Sequence, residues 1–234
     1  MDTAQTGTME LLKSSTWELH QAVEGHEFQQ SLVKGVLARD RYVRFLGQML
    51  LIHTALEKHL RNTSARWPFC QVIHNRLYRE QLLLSDLDSF GVDGRRIHAA
   101  DATRSLIAEI DRLGDGNSVA LLGVLYVLEG STNGGKWIAK AARKAYNLDE
   151  AGATYFDPYG DQQRIEWRSF KQRVDAIDLT DALKEGVVAA AREMFAALSR
   201  ICDELHHEPT PASSNERTEA VAPARRCPFA HGPL

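Results

Sequence analysis

Cysteine is scarce in this chain. Three residues, Cys70, Cys202 and Cys227, are spread over 234 positions. They form neither a disulfide framework nor a CxxC zinc pattern, and a reducing compartment is the natural setting. Net charge is small too: 28 basic against 31 acidic side chains leave −3. No global field therefore draws the protein to nucleic acid or to a membrane surface, and any basic cluster acts locally. Long apolar runs are missing. The longest, around 119–128, is too short to span a bilayer, and the polar, acidic N-terminus MDTAQTGTMELLKSST lacks the apolar stretch of a signal peptide. A soluble, cytoplasmic protein is expected, with no nucleic-acid or membrane partner. Sustained alternation with β-branched residues is also absent, which argues against strands.

What is present is helical periodicity. With 44% hydrophobic residues the chain can bury one sizeable core, and one domain is expected rather than two. Leu12, Thr16, Leu19 and Val23 form one stripe. Tyr42, Leu46, Met49, His53, Leu56 and Leu60 form a second, and Val187, Ala191, Met194, Leu198, Ile201 and Leu205 a third. Residues 75–90, 102–113 and 164–174 also read as helices. The fold class is all-α, a single-domain multi-helix bundle of about seven to eight helices. The expected limits are a flexible N-terminus over 1–8, the helical domain over 9–207, and a disordered tail over 208–234, where Pro, Ser, Ala, Glu and Arg take over.

The middle of the chain is unusual. Asp115-Gly116-Asn117-Ser118 reads as a loop with Ser118 as an N-cap. Residues 119–128, apolar on every side, read as a fully buried helix. That helix runs into Gly130-Ser131-Thr132-Asn133-Gly134-Gly135. Each Gly weakens a helix by roughly 1 kcal/mol, so helix, glycine break, helix is expected. A glycine brings backbone close to a flat ligand because no Cβ intervenes. Tight helix–helix packing is the plainer use of the same residues. Residues 152–160 follow as an aromatic-rich loop.

His20 lies beside the apolar stripe of the first helix with Glu24 one turn on. A neutral imidazole that ligates iron needs its other ring nitrogen fixed by an acceptor, which a carboxylate at i+4 supplies. A buried His merely satisfied by a Glu has the same spacing. The cations Lys13, Lys136, Lys140, Arg168, Lys171 and Arg173 suit carboxylates on a ligand rim, or simply a solvated face.

Taken together these residues resemble the heme oxygenases. The likeness runs through Lys13-Ser14-Ser15-Thr16-Trp17-Glu18-Leu19-His20-Gln21-Ala22-Val23-Glu24, then Phe28, Lys34-Gly35, Tyr42 and His53-Thr54-Ala55-Leu56-Glu57. It resumes at Leu125-Tyr126-Val127-Leu128-Glu129-Gly130-Ser131-Thr132-Asn133-Gly134-Gly135 and Ile138-Ala139-Lys140. It spans about 11 to 205 and is greatest to bacterial members, including those serving bacteriophytochromes. The resemblance implies a bundle of the heme oxygenase type that binds heme b as cofactor and substrate. The ring is opened to biliverdin, carbon monoxide and iron, using O2 and electrons from a donor such as a ferredoxin or a flavin reductase. It implies a bacteriophytochrome as one acceptor of the product.

By the same resemblance His20 is the iron ligand and Glu24 its partner. Gly130, Ser131 and Asn133 form the catalytic stretch, and Gly134 and Gly135 line the distal face. Lys13 stands near a propionate, Lys140 and Lys171 match cationic positions near the rim, and Phe195 is a wall. Ser131 stands where many animal-type members carry an Asp that anchors a catalytic water, and Asn133 where a Leu or Ser is usual. A non-catalytic heme carrier or sensor with the same fold is the alternative. A thiamin-degrading hydrolase would need a pocket cysteine, and a di-metal oxidase Glu-x-x-His pairs, of which Glu204…His207 is the one candidate. Cys227-Pro228, in the tail, could serve as a heme-responsive site but is expected to be dispensable for turnover.

Overall fold

The computed structural model describes residues 7–149 and 151–207, and among these no strand occurs. Nine α-helices follow one another: α1 (Thr8–Gly25), α2 (Glu27–Lys34), α3 (Arg39–Thr63), α4 (Phe69–Val72), α5 (Glu80–Asp88), α6 (Asp101–Gly116), α7 (Leu121–Tyr146), α8 (Gln163–Asp175) and α9 (Asp181–His207). Short 3₁₀ turns separate several of them. The count exceeds the seven to eight expected because a four-residue turn, α4, registers as a helix. No helix among the described residues is long and apolar enough to cross a membrane. The 208–234 tail with Cys227, and residues 1–6, lie outside the described residues, while Thr8 already begins α1.

α9 is the spine. α1, α6 and α7 all pack against it, and its inward residues Val187, Ala191, Met194, Ala197 and Ile201 are wholly buried. Each large apolar side chain so buried contributes roughly 1.5–3 kcal/mol. The front of α7, Leu121 to Leu128, is buried as its composition required, with Tyr126 half-buried. Gly123 lets α9 approach closely: a Cβ there would stand 2.0 Å from the Val187 carbonyl oxygen.

Three local expectations fail, each for a tertiary reason. Residues 75–90 form a 3₁₀ turn, Asn75–Leu77, and then α5. The amides of Arg79 and Glu80 are drawn to Glu57 Oε1 on α3, at 2.5 and 2.9 Å. Glu57 thus caps α5 from another helix. Ser118 caps nothing: α6 runs on through Gly116, and Ser118–Ala120 is a 3₁₀ turn leading into α7. The glycine break does not occur. α7 stays helical through all 26 residues, because neighbouring elements hold the segment that propensity alone would release.

Candidate functional site

On α1, Leu12 and Thr16 face the core, and His20 one turn further on is 45% exposed. Its Nδ1 is buried and makes no hydrogen bond, but faces Glu24 Oε2 at 3.5 Å. Nε2 keeps access to solvent and makes no hydrogen bond among the described residues. Phe195 of α9 meets the ring edge-on, centroids 5.8 Å apart, and Trp17 lies parallel to it within 8° at 6.1 Å. Three of the residues singled out from sequence, His20, Glu24 and Phe195, are therefore brought together.

The glycines of α7 divide in use. Gly135 is buried, and a Cβ there would fall 1.8 Å from the Phe156 carbonyl oxygen. Its bareness makes room for the 152–160 loop. That loop is pinned by buried Asp86, whose carboxylate accepts the amides of Gly152, Thr154 and Tyr155 at 2.8–3.0 Å. At Gly134 a Cβ would meet nothing within 4 Å, and at Gly130 only the Trp167 ring at 3.5 Å. Gly134 leaves bare backbone facing open space, and Gly130, a turn before it, faces the Trp167 ring.

Ser131 and Asn133 are exposed. Ser131 Oγ donates to the Leu128 carbonyl at 2.7 Å, and Asn133 Nδ2 to that of Gly130 at 2.8 Å. With those donors engaged on the helix, Ser131 keeps oxygen lone pairs free, while Asn133 Oδ1 accepts from Gln163 Nε2 at 3.4 Å.

The two helices meet through a chain sequence reading missed. Tyr126 of α7 lies close to Thr16 of α1 and packs on Trp167 of α8, centroids 6.0 Å apart. His20 lies one turn past Thr16, and Gly130 one turn past Tyr126. Lys171 sits over Trp167 at 5.9 Å, which brings it to the Gly130 end of α7. Lys13 and Lys140 are exposed, as is Arg168. Lys136 is paired with Asp161 at 2.9 Å, and Arg173 is turned onto Ser169 at 2.9 Å. Two hollows of the described residues, one between α6 and α9 and one beside Gly7 and residues 175–179, are lined by none of the predicted site residues.

Beneath the glycine stretch is a buried polar cluster. Arg79, 3% exposed, donates to Glu129 Oε2 at 2.9 Å and to the Tyr159 hydroxyl at 2.8 Å. Burial pushes the Glu129 carboxyl above its ordinary range, and Arg79 offsets this only in part. Glu57 differs. Burial is the largest influence and acts upward, yet His53 and the amides of Arg79 and Glu80 together hold the carboxyl below its ordinary value. Burial lowers His53, keeping that imidazole neutral. Glu57 and Glu129 were visible only as parts of a motif. Their link through Arg79 spans elements far apart in sequence, and no local spacing announces it.

The alternatives lose their residues. Cys70 is exposed, while Cys202 is buried, accepts from Gln29 at 3.3 Å, and has its thiol pushed up to about 12 by burial. Glu204 caps α6 by accepting the Ala102 amide at 2.9 Å. No cluster of His, Cys, Asp and Glu fit for a metal occurs among the described residues.

Comparison with known proteins agrees with this fold. The Heme oxygenase family profile matches residues 7–204. A heme oxygenase of the red alga Porphyra purpurea is 25% identical over 200 residues, covering 83% of this chain and 85% of its own. Among solved structures, a heme oxygenase of the cyanobacterium Synechocystis in complex with heme superposes with TM-score 0.79 at 20% identity, over 86% of this chain and 92% of that one. The heme oxygenase of Leptospira interrogans gives TM-score 0.79 at 24% identity, over 85% and 100%.

Proposed function

The chain belongs to the heme oxygenase family, and from that premise we propose that it binds heme through His20 and opens the ring to biliverdin, carbon monoxide and iron. The observation that carries this reading is the imidazole itself: Nδ1 buried against Glu24, Nε2 with access to solvent, on a half-exposed ring. A carboxylate facing Nδ1 favours the tautomer that leaves the Nε2 lone pair free for iron. The residues fit a flat group. Gly134 and Gly130 put no side chain in its way, and Phe195 closes one side of the ligand ring. Lys13, Lys140 and Lys171 supply cations for carboxylates at the rim.

When bound, the heme supplies O2 activation at its iron and the carbon that is oxidised. The chain's part is ligation, orientation and the handling of water. The neutral imidazole avoids the electron push of a thiolate, which favours O–O cleavage. The Ser131 oxygen, and the second lone pair of an Asn133 Oδ1 that already accepts from Gln163, would accept hydrogen bonds from water and orient it over the bare backbone. Electrons come from a separate donor of the ferredoxin or flavin-reductase kind. The Gly130-Ser131 form of the motif supports a bacterial role, with biliverdin passed to a bacteriophytochrome in the cytoplasm.

Titrating hemin into the purified protein should produce a Soret band that His20→Ala abolishes. Ascorbate or a reductase should then replace it with biliverdin absorbance. A band that persists under reductant and air would establish a heme carrier instead, and a His20→Ala protein with an unchanged spectrum would remove the ligand assignment.

A further inference from the structure

A ligand imidazole needs a fixed plane as well as a fixed nitrogen. Rotation about the bond to an imidazole ring is broad, so the rotamer of a histidine on a helix does not set that plane. Glu24 does not set it alone: its 3.5 Å approach leaves Nδ1 without a hydrogen bond. Phe195 touches the ring by an edge, at 78°, and such a contact leaves tilt free. Among the described residues, the one ring lying parallel to the imidazole is the indole of Trp17, on the preceding turn of the same helix and within 8°. Trp17 is also 51% exposed, so folding alone gains little from it, and a polar residue at that position would suit the surface better.

We propose that Trp17 is a positioning residue that holds the His20 imidazole plane by stacking, so that Nε2 is aimed off α1 at the ligand. The proposal rests on His20 being the iron ligand. An aromatic pair contributes about 0.5–1.5 kcal/mol beyond buried area. The expected consequence is looser and less uniform ligation, not loss of the fold. Trp17 is also one of four tryptophans, and it is next to the ligand ring, so a bound iron porphyrin should quench it.

Hemin is bound to the wild-type protein and to Trp17→Phe, Trp17→Ala and His20→Ala, with hemin release followed by transfer to apomyoglobin. Electron paramagnetic resonance is recorded on each ferric complex, and melting on each apoprotein. Trp17→Ala should release hemin about five- to tenfold faster and broaden the ferric signal, with the apoprotein melting as the wild type does. Trp17→Phe keeps a flat ring and should restore both properties to within about twofold of wild type. A Trp17→Ala complex that matches wild type in release and line width overturns the proposal, as does equal damage in Trp17→Phe. Failure of the underlying reading looks different: the wild type takes up no hemin, or His20→Ala takes it up unchanged.

Discussion

The two helices that carry the site are held by opposite means. On α1 the ligand residue is half exposed and steadied by rings and one loose approach to a carboxylate. On α7 the glycine stretch is held from beneath: Arg79 grips Glu129, Gln163 Nε2 donates to Thr132 Oγ1 at 2.7 Å, and the Phe156 carbonyl fills the place of a Gly135 Cβ. One side keeps its polar atoms available and adds little to stability. The other commits its polar atoms to the interior and presents bare backbone. Binding and stability should therefore separate cleanly between α1 and the support of α7.

The strongest challenge to that separation is Arg79→Ala. Removing the guanidinium leaves Glu129 buried without its charge partner, at a cost of about 3–5 kcal/mol. Urea unfolding should show the loss, and whatever fraction remains folded should still bind hemin through His20. A variant as stable as wild type would mean the cluster does not support α7.

The paired glycines sharpen the contrast at a smaller scale. Gly135→Ala forces the Phe156 carbonyl aside and should cost about 1–3 kcal/mol. Gly134→Ala meets open space, should leave the melting temperature equal or higher by virtue of helix propensity, and should weaken hemin binding. Equal effects of the two substitutions on melting would erase the division of labour between these neighbours.

The smallest expected effect concerns pH. The Glu57 carboxyl titrates below its ordinary value of 4.5 in the folded protein. Its contribution is thus complete above the unfolded value and is lost as pH falls through the folded one. Urea midpoints measured from pH 6 downward should decline more steeply in the wild type than in Glu57→Gln. Glu129 has the opposite sign, because burial raises it, and its contribution weakens as pH climbs. Parallel curves for wild type and Glu57→Gln would remove Glu57 from the acid response.

Much of this was legible in the residues. The stripes through Leu12, Leu46 and Val187 marked three of the four longest helices, α1, α3 and α9, since a 3.6-residue repeat of apolar side chains has one way to be buried. His20 and Glu24 were readable because their partnership is local, one turn apart. Gly134 and Gly135 were readable only as a pair. Which of them meets a carbonyl and which meets open space depends on a loop that returns from 152–160.

The order of helices, the all-α class and the His20–Glu24 contact follow from near-neighbour chemistry along the chain. The unbroken course of α7, the capping of α5 by Glu57, the Arg79–Glu129–Tyr159 link and the edge that Phe195 sets against His20 were decided by packing. Hydrogen bonds and excluded volume between distant segments outweigh local preferences of about 1 kcal/mol per residue, and those distant partners are invisible until the chain has folded.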